Sequence, residues 1–236
     1  MLNRIAHKHA SLGVAPGQYE TVRLHLFAAL AETLGDAVTA ETAAAWDEVY
    51  WLMANALIAI EARLYAGHGA TAAEGTWRDH EVVERVEETP DVVTFRLRPV
   101  DGAGAPVPRH RAGQYVSVQV ELDDGARQIR QYSLTGAAGG VDRLICVKRV
   151  RGEDGSPEGE VSRQLHARVR AGSVVRVSAP YGDLVLGDVD PGAPLLLASA
   201  GIGVTPMIAL LGQLADAGHR GPVTALHADR SPAEHA

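Results

Sequence analysis

The chain has 236 residues, of which 46% are hydrophobic and 22% are charged, as is usual for a globular protein of one or two domains. Its formal net charge of −7 argues against a nucleic-acid-binding protein, because such proteins present a basic surface. The single cysteine excludes an internal disulfide, and the sequence contains neither an apolar run of membrane-spanning length nor a signal-peptide pattern, so we expect a cytoplasmic protein without a membrane span.

The first 66 residues have the apolar periodicity of helices. One apolar face is formed by Tyr19, Val22, Leu26, Leu30 and Leu34. Gly35 predicts the end of that helix, and Thr39 predicts the N-cap of the next one. The apolar face of the second helix is formed by Trp46, Val49, Met53, Leu57, Ile60 and Leu64. Residues 67–76 are small and polar, which is typical of a linker.

Residues 77–187 predict an antiparallel β-barrel. Short runs rich in β-branched residues are separated by glycine and proline, and they fall at 92–97, 115–120, 144–147 and 174–177. Cys146 lies in one of these runs, and we expect it to be a buried hydrophobic residue without a redox role.

Residues 192–236 predict one βαβ unit, the beginning of a doubly wound sheet. An apolar strand of the buried type at 195–198 precedes a helix from Thr205 to Ala217, and a second strand follows at 223–227. The chain as a whole is therefore predicted to be multidomain, with an all-α segment, a linker, an antiparallel β-barrel and a partial α/β domain in that order.

The strongest candidate for a cofactor site is the run Arg130-Gln131-Tyr132-Ser133. A flavin dinucleotide needs a cation for its phosphates, an aromatic ring against its flat ring system and a donor for a ring nitrogen, and these residue types supply all three. Arg130 and Tyr132 are two positions apart, so they point to the same face of a strand. The alternative is an ordinary half-exposed strand.

Two further segments support the prediction of a flavin site. Tyr115 offers a second aromatic ring upstream. Gly159, Val161 and Ser162 belong to the start of a short helix, whose free backbone N–H groups can hold a phosphate. The alternative for this second segment is a helix start without a ligand.

A glycine-rich turn follows the apolar strand of the βαβ unit. It is formed by Gly201, Ile202, Gly203, Val204, Thr205 and Pro206. Glycines let the backbone approach a pyrophosphate, and the helix N-terminus carries partial positive charge. Thr205 is expected to be the N-cap and Pro206 the first helical residue. The turn differs from the G-x-G-x-x-G fingerprint, so a strand-to-helix turn without a ligand is the alternative.

These runs resemble the ferredoxin–NADP reductase superfamily, and the helical segment narrows the resemblance to the flavohaemoglobins. The discriminating residues lie at 5–11, 18–19, 45–46 and 61–65, which are similar to the proximal half of a globin domain. The resemblance implies that 1–66 is the C-terminal part of a globin domain, 77–187 an FAD-binding barrel and 192–236 the N-terminal part of an NAD(P)-binding domain. The implied reaction is the dioxygenation of nitric oxide to nitrate, with NAD(P)H reducing flavin and flavin reducing haem.

The resemblance also implies roles for individual residues. His9 matches the proximal ligand of the haem iron, and Tyr19 and Glu61 match the pair that hydrogen-bonds that histidine. Lys8 matches a basic residue that tunes the haem site. Tyr115, Arg130–Ser133 and the α-helix start at 159–162 match FAD-binding positions, and Gly201–Pro206 matches the NAD(P) turn. Without the family resemblance, His9 is only one of the ten histidines of the chain, and it lies near the end of a helix.

The family pattern extends beyond both ends of this chain, so we expect a central part that is truncated at both ends. The implied cofactors are FAD, NAD(P)H and, in full-length members, haem b, whose binding by this chain alone is left open. The implied ligands are small molecules, namely NAD(P)H, dioxygen and nitric oxide, and an exposed apolar haem-side surface predicts self-association. Two other hypotheses stay open: a flavin reductase that feeds another acceptor, and a non-catalytic interaction fragment.

Overall fold

The computed structural model describes residues 1–71, 73–100, 107–152 and 155–231, and it divides into two compact units. The first unit is Met1–Thr76 and the second is Trp77–Ala236. One residue of the predicted linker, 72, and the last five of the predicted nucleotide-binding segment, 232–236, lie outside the described residues. Within the described ranges, every helix is too short or too polar to cross a bilayer.

The first unit consists of three helices. They are α1 at Leu2–Leu12, α2 at Gln18–Leu34 and α3 at Ala40–Gly67, with short 3₁₀ turns at Gly35–Ala37 and Ala73–Thr76. The predicted signals are confirmed at two boundaries: α2 ends before Gly35, and the Thr39 hydroxyl accepts a hydrogen bond from the Thr42 N–H. Threonine is a preferred N-cap because its oxygen satisfies one of the free N–H groups of the first turn.

The buried core of the first unit is small and contains two tyrosines. It is formed by Ala6, Tyr19, Tyr50, Ala54 and Leu57. The Tyr50 hydroxyl donates to the backbone carbonyl of Tyr19 at 2.6 Å, which ties α3 to α2. The predicted apolar face of α3 is only partly buried, because Trp46 is 53% exposed and Val49 is 66% exposed. The first turns of α3 therefore present apolar side chains at the surface of the unit.

The second unit begins with a six-stranded antiparallel sheet that closes into a barrel. Its strands are β1 at Trp77–Thr89, β2 at Val92–Pro99, β3 at Tyr115–Glu121, β4 at Arg127–Ser133, β5 at Arg143–Lys148 and β6 at Val174–Ser178. The strand order is β4-β3-β6-β1-β2-β5, and an antiparallel bridge between Leu134 and Ile145 joins the two outermost strands. This closure removes the free edges that an open sheet would leave.

The barrel interior is filled by alternate residues of these strands. In β5, Ile145 and Val147 are buried, whereas Cys146 between them faces the other side and is partly exposed. The expectation that Cys146 is a core residue was wrong, because the period of two assigns it to the outer face. Helix α4 at Glu160–Arg168 adds Val161 and Leu165 to the barrel core.

The βαβ unit has the predicted order of strands and helix, but its helix does not begin at the predicted residue. It consists of β7 at Leu195–Ala200, α5 at Val204–Asp216 and β8 at Val223–Ala228, and the two strands are parallel. A 3₁₀ turn at Gly201–Gly203 leads directly into α5, so Thr205 is not the N-cap and Pro206 is not the first helical residue. The Thr205 hydroxyl donates instead to the Ile202 carbonyl at 2.8 Å.

The predicted burial of the first strand of this unit was wrong for most of its residues. Leu197 is buried, but Leu196 is 63% exposed. Leu197 packs with Ala112, Ala209 and Leu210, so α5 covers one face of the two-stranded sheet. The opposite face carries the exposed side chains, because no further element covers it within the described residues.

Candidate functional site

One cavity of the second unit, which we call the large cavity, has a volume of about 740 Å³, within the range of about 300–1,000 Å³ that is typical of ligand sites. Its walls are the end of β4, the end of β5, the β1–β2 hairpin and the turn before α5. Seven of its lining residues belong to the two predicted motifs: Gln131, Tyr132, Ser133, Ile202, Gly203, Thr205 and Pro206. Two segments that are about 70 positions apart in the sequence therefore meet in one cavity.

Three of the four residues of the predicted flavin run face this cavity. Tyr132 also packs against the barrel core, and burial raises the pKa of its phenol to about 12, so the phenol is neutral at physiological pH. Gln131 donates from Nε2 to the Ser117 hydroxyl at 3.0 Å. Ser133 pairs with Tyr115 across β3 and β4. The run therefore contributes a planar phenol, an amide and a hydroxyl to one wall.

Arg130 occupies a different position. It is exposed, and its Nη1 donates to the Gln128 side-chain oxygen at 3.1 Å and to the Ile129 carbonyl at 2.9 Å. Among the described residues it does not line the cavity. Its proposed contact with a phosphate requires its long side chain to leave these neutral partners, which an exposed arginine can do at low cost.

Tyr115, Gly159, Val161 and Ser162 lie behind the cavity wall. Tyr115 exchanges backbone hydrogen bonds with Tyr181, at 2.8 and 2.9 Å. Helix α4 starts at Glu160 with Gly159 as its N-cap, so the predicted helix start is present. The Ser162 hydroxyl accepts from the Val150 N–H at 3.0 Å and donates to the Gly159 carbonyl at 2.9 Å. Ser162 thereby fixes Val150, which lines the cavity, to the start of α4.

The glycine turn reaches the cavity through its middle and its last residues. Gly201 has φ of 50°, a left-handed conformation that favours glycine, and the 3₁₀ turn follows it. Val204 is the first residue of α5 and does not line the cavity among the described residues. The N-terminus of α5 therefore lies at the cavity that Tyr132 and Ser133 also line.

Sequence reasoning missed the basic wall of the cavity. The remaining lining residues of the cavity are Asp91, Cys146, Lys148, Arg149, Val150, Arg151 and Arg230. The signal in the sequence is three basic residues in the four positions at and just beyond the end of β5. The Arg151 guanidinium forms an ion pair with Asp91 and holds the pKa of that carboxyl below its usual range. The wall has an excess of cations, which suits phosphate groups.

The first unit contains a polar cluster made of one residue from each helix. His9 is on α1, Tyr19 on α2 and Glu61 on α3. His9 Nδ1 lies 2.9 Å from Glu61 Oε1 and 2.9 Å from the Tyr19 hydroxyl, and that hydroxyl donates to Glu61 Oε1 at 2.6 Å. The structure therefore brings together the three residues that the sequence could only associate by resemblance.

The hydrogen bonds of this cluster fix the orientation of the imidazole and which of its nitrogens faces away from Glu61. Glu61 is only 2% exposed, and its Oε2 has no hydrogen-bond partner in the part of the chain that the structure describes. Burial and the hydrogen bond to Glu61 raise the pKa of Tyr19 far above its usual range, so Tyr19 is a neutral donor. A carboxylate beside Nδ1 keeps the proton on that nitrogen, which makes Nε2 the nitrogen that can bind a metal.

His9 opens onto an apolar cavity of about 360 Å³. The other lining residues are Ile5, Val14, Gln18, Tyr19, Val22, Tyr50, Met53 and Leu57. Lys8 is exposed on α1 and does not line this cavity among the described residues. An imidazole held from behind and facing an apolar space is the arrangement expected on one side of a haem.

Comparison with protein families and curated proteins gives consistent similarities. The sequence model of the globin family, described as "Globin", matches residues 1–57. The chain is 42% identical over 240 residues to a flavohemoprotein of Chromobacterium violaceum and 41% identical over 239 residues to one of Bordetella pertussis. Each alignment covers 100% of this chain and 58% of the relative. The chain thus spans 58% of the length of these relatives.

Solved structures give the same result for the fold. The flavohemoglobin of Malassezia yamatoensis, a structure with bound FAD and heme, superposes with a TM-score of 0.85 at 38% identity, covering 99% of this chain and 58% of that one. The FAD/NAD-binding domain of a nitric oxide dioxygenase from Vibrio cholerae superposes with a TM-score of 0.61 at 39% identity, covering 68% of this chain and 65% of that one.

Proposed function

Because this chain belongs to the flavohemoprotein family, we propose that it is part of an oxidoreductase that passes electrons from NAD(P)H through FAD to haem, for the dioxygenation of nitric oxide to nitrate. The observation that carries this proposal is the cluster of His9, Tyr19 and Glu61, because a flavin reductase that feeds another acceptor has no use for it. The activity is proposed for a protein of the relatives' full length, because this chain spans 58% of the curated relative that it matches.

The large cavity is the proposed FAD site. Tyr132 and Ser133 provide a phenol ring and a hydroxyl for the flat ring system, and Lys148, Arg149 and Arg151 provide cations for the pyrophosphate. FAD, when bound, supplies the chemistry of accepting hydride and releasing electrons to an acceptor. The chain's own residues bind and orient it: Tyr132 is fixed by its packing against the barrel core, and Gln131 is fixed by Ser117.

The glycine turn is the proposed NAD(P)H site. Gly203, Thr205 and Pro206 line the same cavity as Tyr132 and Ser133, so a nucleotide bound there is close to the flavin position. The backbone N–H groups at the start of α5 are suited to the pyrophosphate of the nucleotide. The role of these residues is to place the nicotinamide beside the flavin, which is the proximity on which hydride transfer depends.

The apolar cavity of the first unit is the proposed proximal side of the haem site. His9 Nε2 is the proposed iron ligand, and haem, when bound, supplies the redox chemistry of its iron with dioxygen. Glu61 and Tyr19 act on this ligand from behind: they hold the ring through hydrogen bonds at Nδ1, which leaves Nε2 directed away from them as the nitrogen that would bind the iron. Lys8 stays a prediction as a tuning residue.

Haem titration of purified protein tests this proposal. We expect haem binding with a Soret band, which is lost in His9→Ala because the ligand nitrogen is removed. The matched control is His25→Ala, an exposed histidine on α2, which should leave the spectrum unchanged. Equal Soret spectra for the parent and His9→Ala would remove the haem assignment and leave a reductase with another acceptor as the better proposal.

Location and assembly are part of the proposal as well. We place the protein in the cytoplasm, since its single cysteine requires no oxidising compartment. The exposed apolar side chains of α2 and α3 support self-association when haem is absent; among them are Val22, Leu26, Trp46, Val49 and Leu52. Sedimentation with and without haem measures this, with a larger species expected only for the haem-free protein.

A further inference from the structure

A second cavity of the barrel unit has a cationic lining. It lies between the β1–β2 hairpin and the C-terminal half of α4, and its volume is about 250 Å³. Its charged lining residues are four arginines and one glutamate: Arg85, Arg149, Arg163, Arg170 and Glu87. The chain as a whole has a net charge of −7, so this arginine pocket is a local departure from an acidic protein.

Two of the four arginines carry buried donors that are not satisfied. Arg85 Nε and Arg149 Nε are both inaccessible to solvent, and neither makes a hydrogen bond to any residue that the structure describes. A buried donor without a partner is destabilising. The protein partners of these two arginines therefore leave part of their hydrogen-bonding capacity unused, and a rearrangement of the side chains toward an anion would cost little.

The acidic partners of these arginines are displaceable. Arg85 pairs with Glu87 at 2.8 Å, but the Glu87 side chain is 73% exposed. Arg149 and Arg163 share Glu158, at 3.1 and 4.0 Å, and its side chain is 42% exposed. Exposed ion pairs contribute little to stability, so an anion with better geometry can replace either carboxylate.

The C-terminal end of α4 does not repel an anion bound in the arginine pocket. Arg170 donates to the backbone carbonyls of His166, Ala167 and Val169 at 2.8–2.9 Å, and it thereby covers the negative end of the helix. His166 Nε2 lies 2.9 Å from the Val147 carbonyl, and burial lowers the pKa of this histidine, so it is neutral at physiological pH. The positive charge of the pocket comes from arginine alone.

We propose that the arginine pocket binds a phosphoryl group, either as free phosphate or as part of a small phosphate ester. The guanidinium fork matches the oxygens of a tetrahedral oxyanion, and four arginines line one small cavity, of which Arg170 is engaged with the end of α4. The volume of about 250 Å³ lies below the usual size of cofactor sites, so the ligand is a small anion and not a dinucleotide.

Arg149 gives this site a connection to the large cavity. It lines both cavities, and its backbone N–H donates to the Asp91 carbonyl at 2.7 Å. An anion in the arginine pocket holds the Arg149 side chain on its own side and so changes one cationic position in the wall of the proposed flavin site. Arg149 is thus shared by the walls of the two cavities.

Titration of the 236-residue chain with inorganic phosphate tests the proposal, with phosphorus NMR as the readout and sodium chloride keeping the ionic strength constant. We expect saturable binding that Arg163→Gln weakens by about tenfold, because a charge-assisted hydrogen bond is lost. Arg163 is 45% exposed, so its replacement should not disturb folding. Arg85→Gln is the second variant, and Arg96→Gln, an exposed arginine that pairs with Glu84 outside the pocket, is the matched control.

Two outcomes would overturn the site. One is binding that fails to saturate at constant ionic strength, or that Arg96→Gln weakens as much as Arg163→Gln and Arg85→Gln. The other is loss of phosphate binding when FAD is added, because the phosphate would then occupy the place of the cofactor's own pyrophosphate. Phosphate binding that persists with FAD supports a separate pocket. A parallel titration with AMP assigns the source: tighter binding than phosphate, with the same dependence on Arg163, assigns a phosphate ester, and weaker binding assigns the free ion.

Discussion

The two candidate sites of this chain are held in place by different means. In the helical unit, three side chains from three helices contact one another directly, and every distance lies between 2.6 and 2.9 Å. In the barrel unit, the walls of a much larger cavity come from strand ends and a turn, and few of the lining side chains bind one another. The helical cluster is organised by its own contacts, as the proposed presentation of one nitrogen to a metal requires, whereas the large cavity offers spaced groups that a bound ligand would connect.

The first prediction concerns packing behind the large cavity, which we expect to have the largest effect. Gly113 has φ of 88°, and a Cβ there would clash with the backbone carbonyl of Leu184. Gly113→Ala should therefore lower the free energy of unfolding by about 3 kcal/mol or more, since strain and a backbone clash add.

Gly125→Ala is the matched control for this substitution. Gly125 has φ of 82°, but no atom of the residues that the structure describes lies within 4 Å of the added Cβ, so only the strain of about 1–2 kcal/mol applies. Urea unfolding measures both variants. Equal losses of stability would show that the close approach to Leu184 does not hold this part of the barrel in place.

A second prediction tests whether the helical site depends on direct contacts. Tyr19→Phe removes the 2.6 Å hydrogen bond to the buried Glu61 carboxylate, whose other oxygen has no partner among the described residues. We expect a loss of about 2 kcal/mol in the free energy of unfolding, because hydrogen bonds to charged groups contribute about 1.5–3 kcal/mol.

Tyr50→Phe provides the comparison on the same helices. The Tyr50 hydroxyl also donates at 2.6 Å, but its acceptor is the neutral carbonyl of Tyr19. The expected loss is about 1 kcal/mol. A larger loss for Tyr50→Phe than for Tyr19→Phe in the same urea titration would contradict the view that the carboxylate organises the helical site.

A third prediction concerns the pH dependence of the stability of the barrel. Burial lowers the pKa of His80 in the barrel to about 4, whereas an unfolded histidine titrates near 6.5. Because the unfolded state takes up a proton first as the pH falls, this histidine lowers the stability of the barrel between pH 6.5 and 4 and has little effect at higher pH. Between about pH 7 and pH 5 the loss should be about 2 kcal/mol.

The variant His80→Asn should lose less stability over that pH interval than the parent, because the titrating group is gone. Other buried groups titrate in both proteins, so the difference between the two is the informative quantity. A pH dependence of unfolding that is identical in parent and variant would mean that His80 takes up its proton equally well in both states.

Much of the fold could be predicted from the sequence, because local signals decide it. Gly35 and Thr39 marked real helix boundaries, and the glycine-rich turn lies where a strand meets a helix. The multidomain fold and the resemblance to flavohaemoglobins are confirmed. In these cases the relevant interactions connect residues that are close in the sequence.

The parts that failed depend on contacts across the fold. Thr205 was a good N-cap by residue type, but the 3₁₀ turn at Gly201–Gly203 makes Gly203 the N-cap, so the helix begins at Val204, two residues earlier than predicted. Cys146 was expected in the core because it lies in an apolar strand. The alternation of side chains along β5 places it instead on the face that lines the large cavity. The roles of individual residues, Arg130 and Lys8 among them, stay predictions.

We propose that the large cavity, which the barrel lines together with the glycine turn, holds FAD on its barrel side, and a flavin titration is the direct test. Purified protein mixed with FAD should bind one equivalent, turn yellow and quench flavin fluorescence, and Tyr132→Ala should bind at least about tenfold more weakly than the matched surface variant Arg96→Gln. Protein that stays colourless and takes up no FAD, or a Tyr132→Ala variant that binds as tightly as Arg96→Gln, would contradict the account.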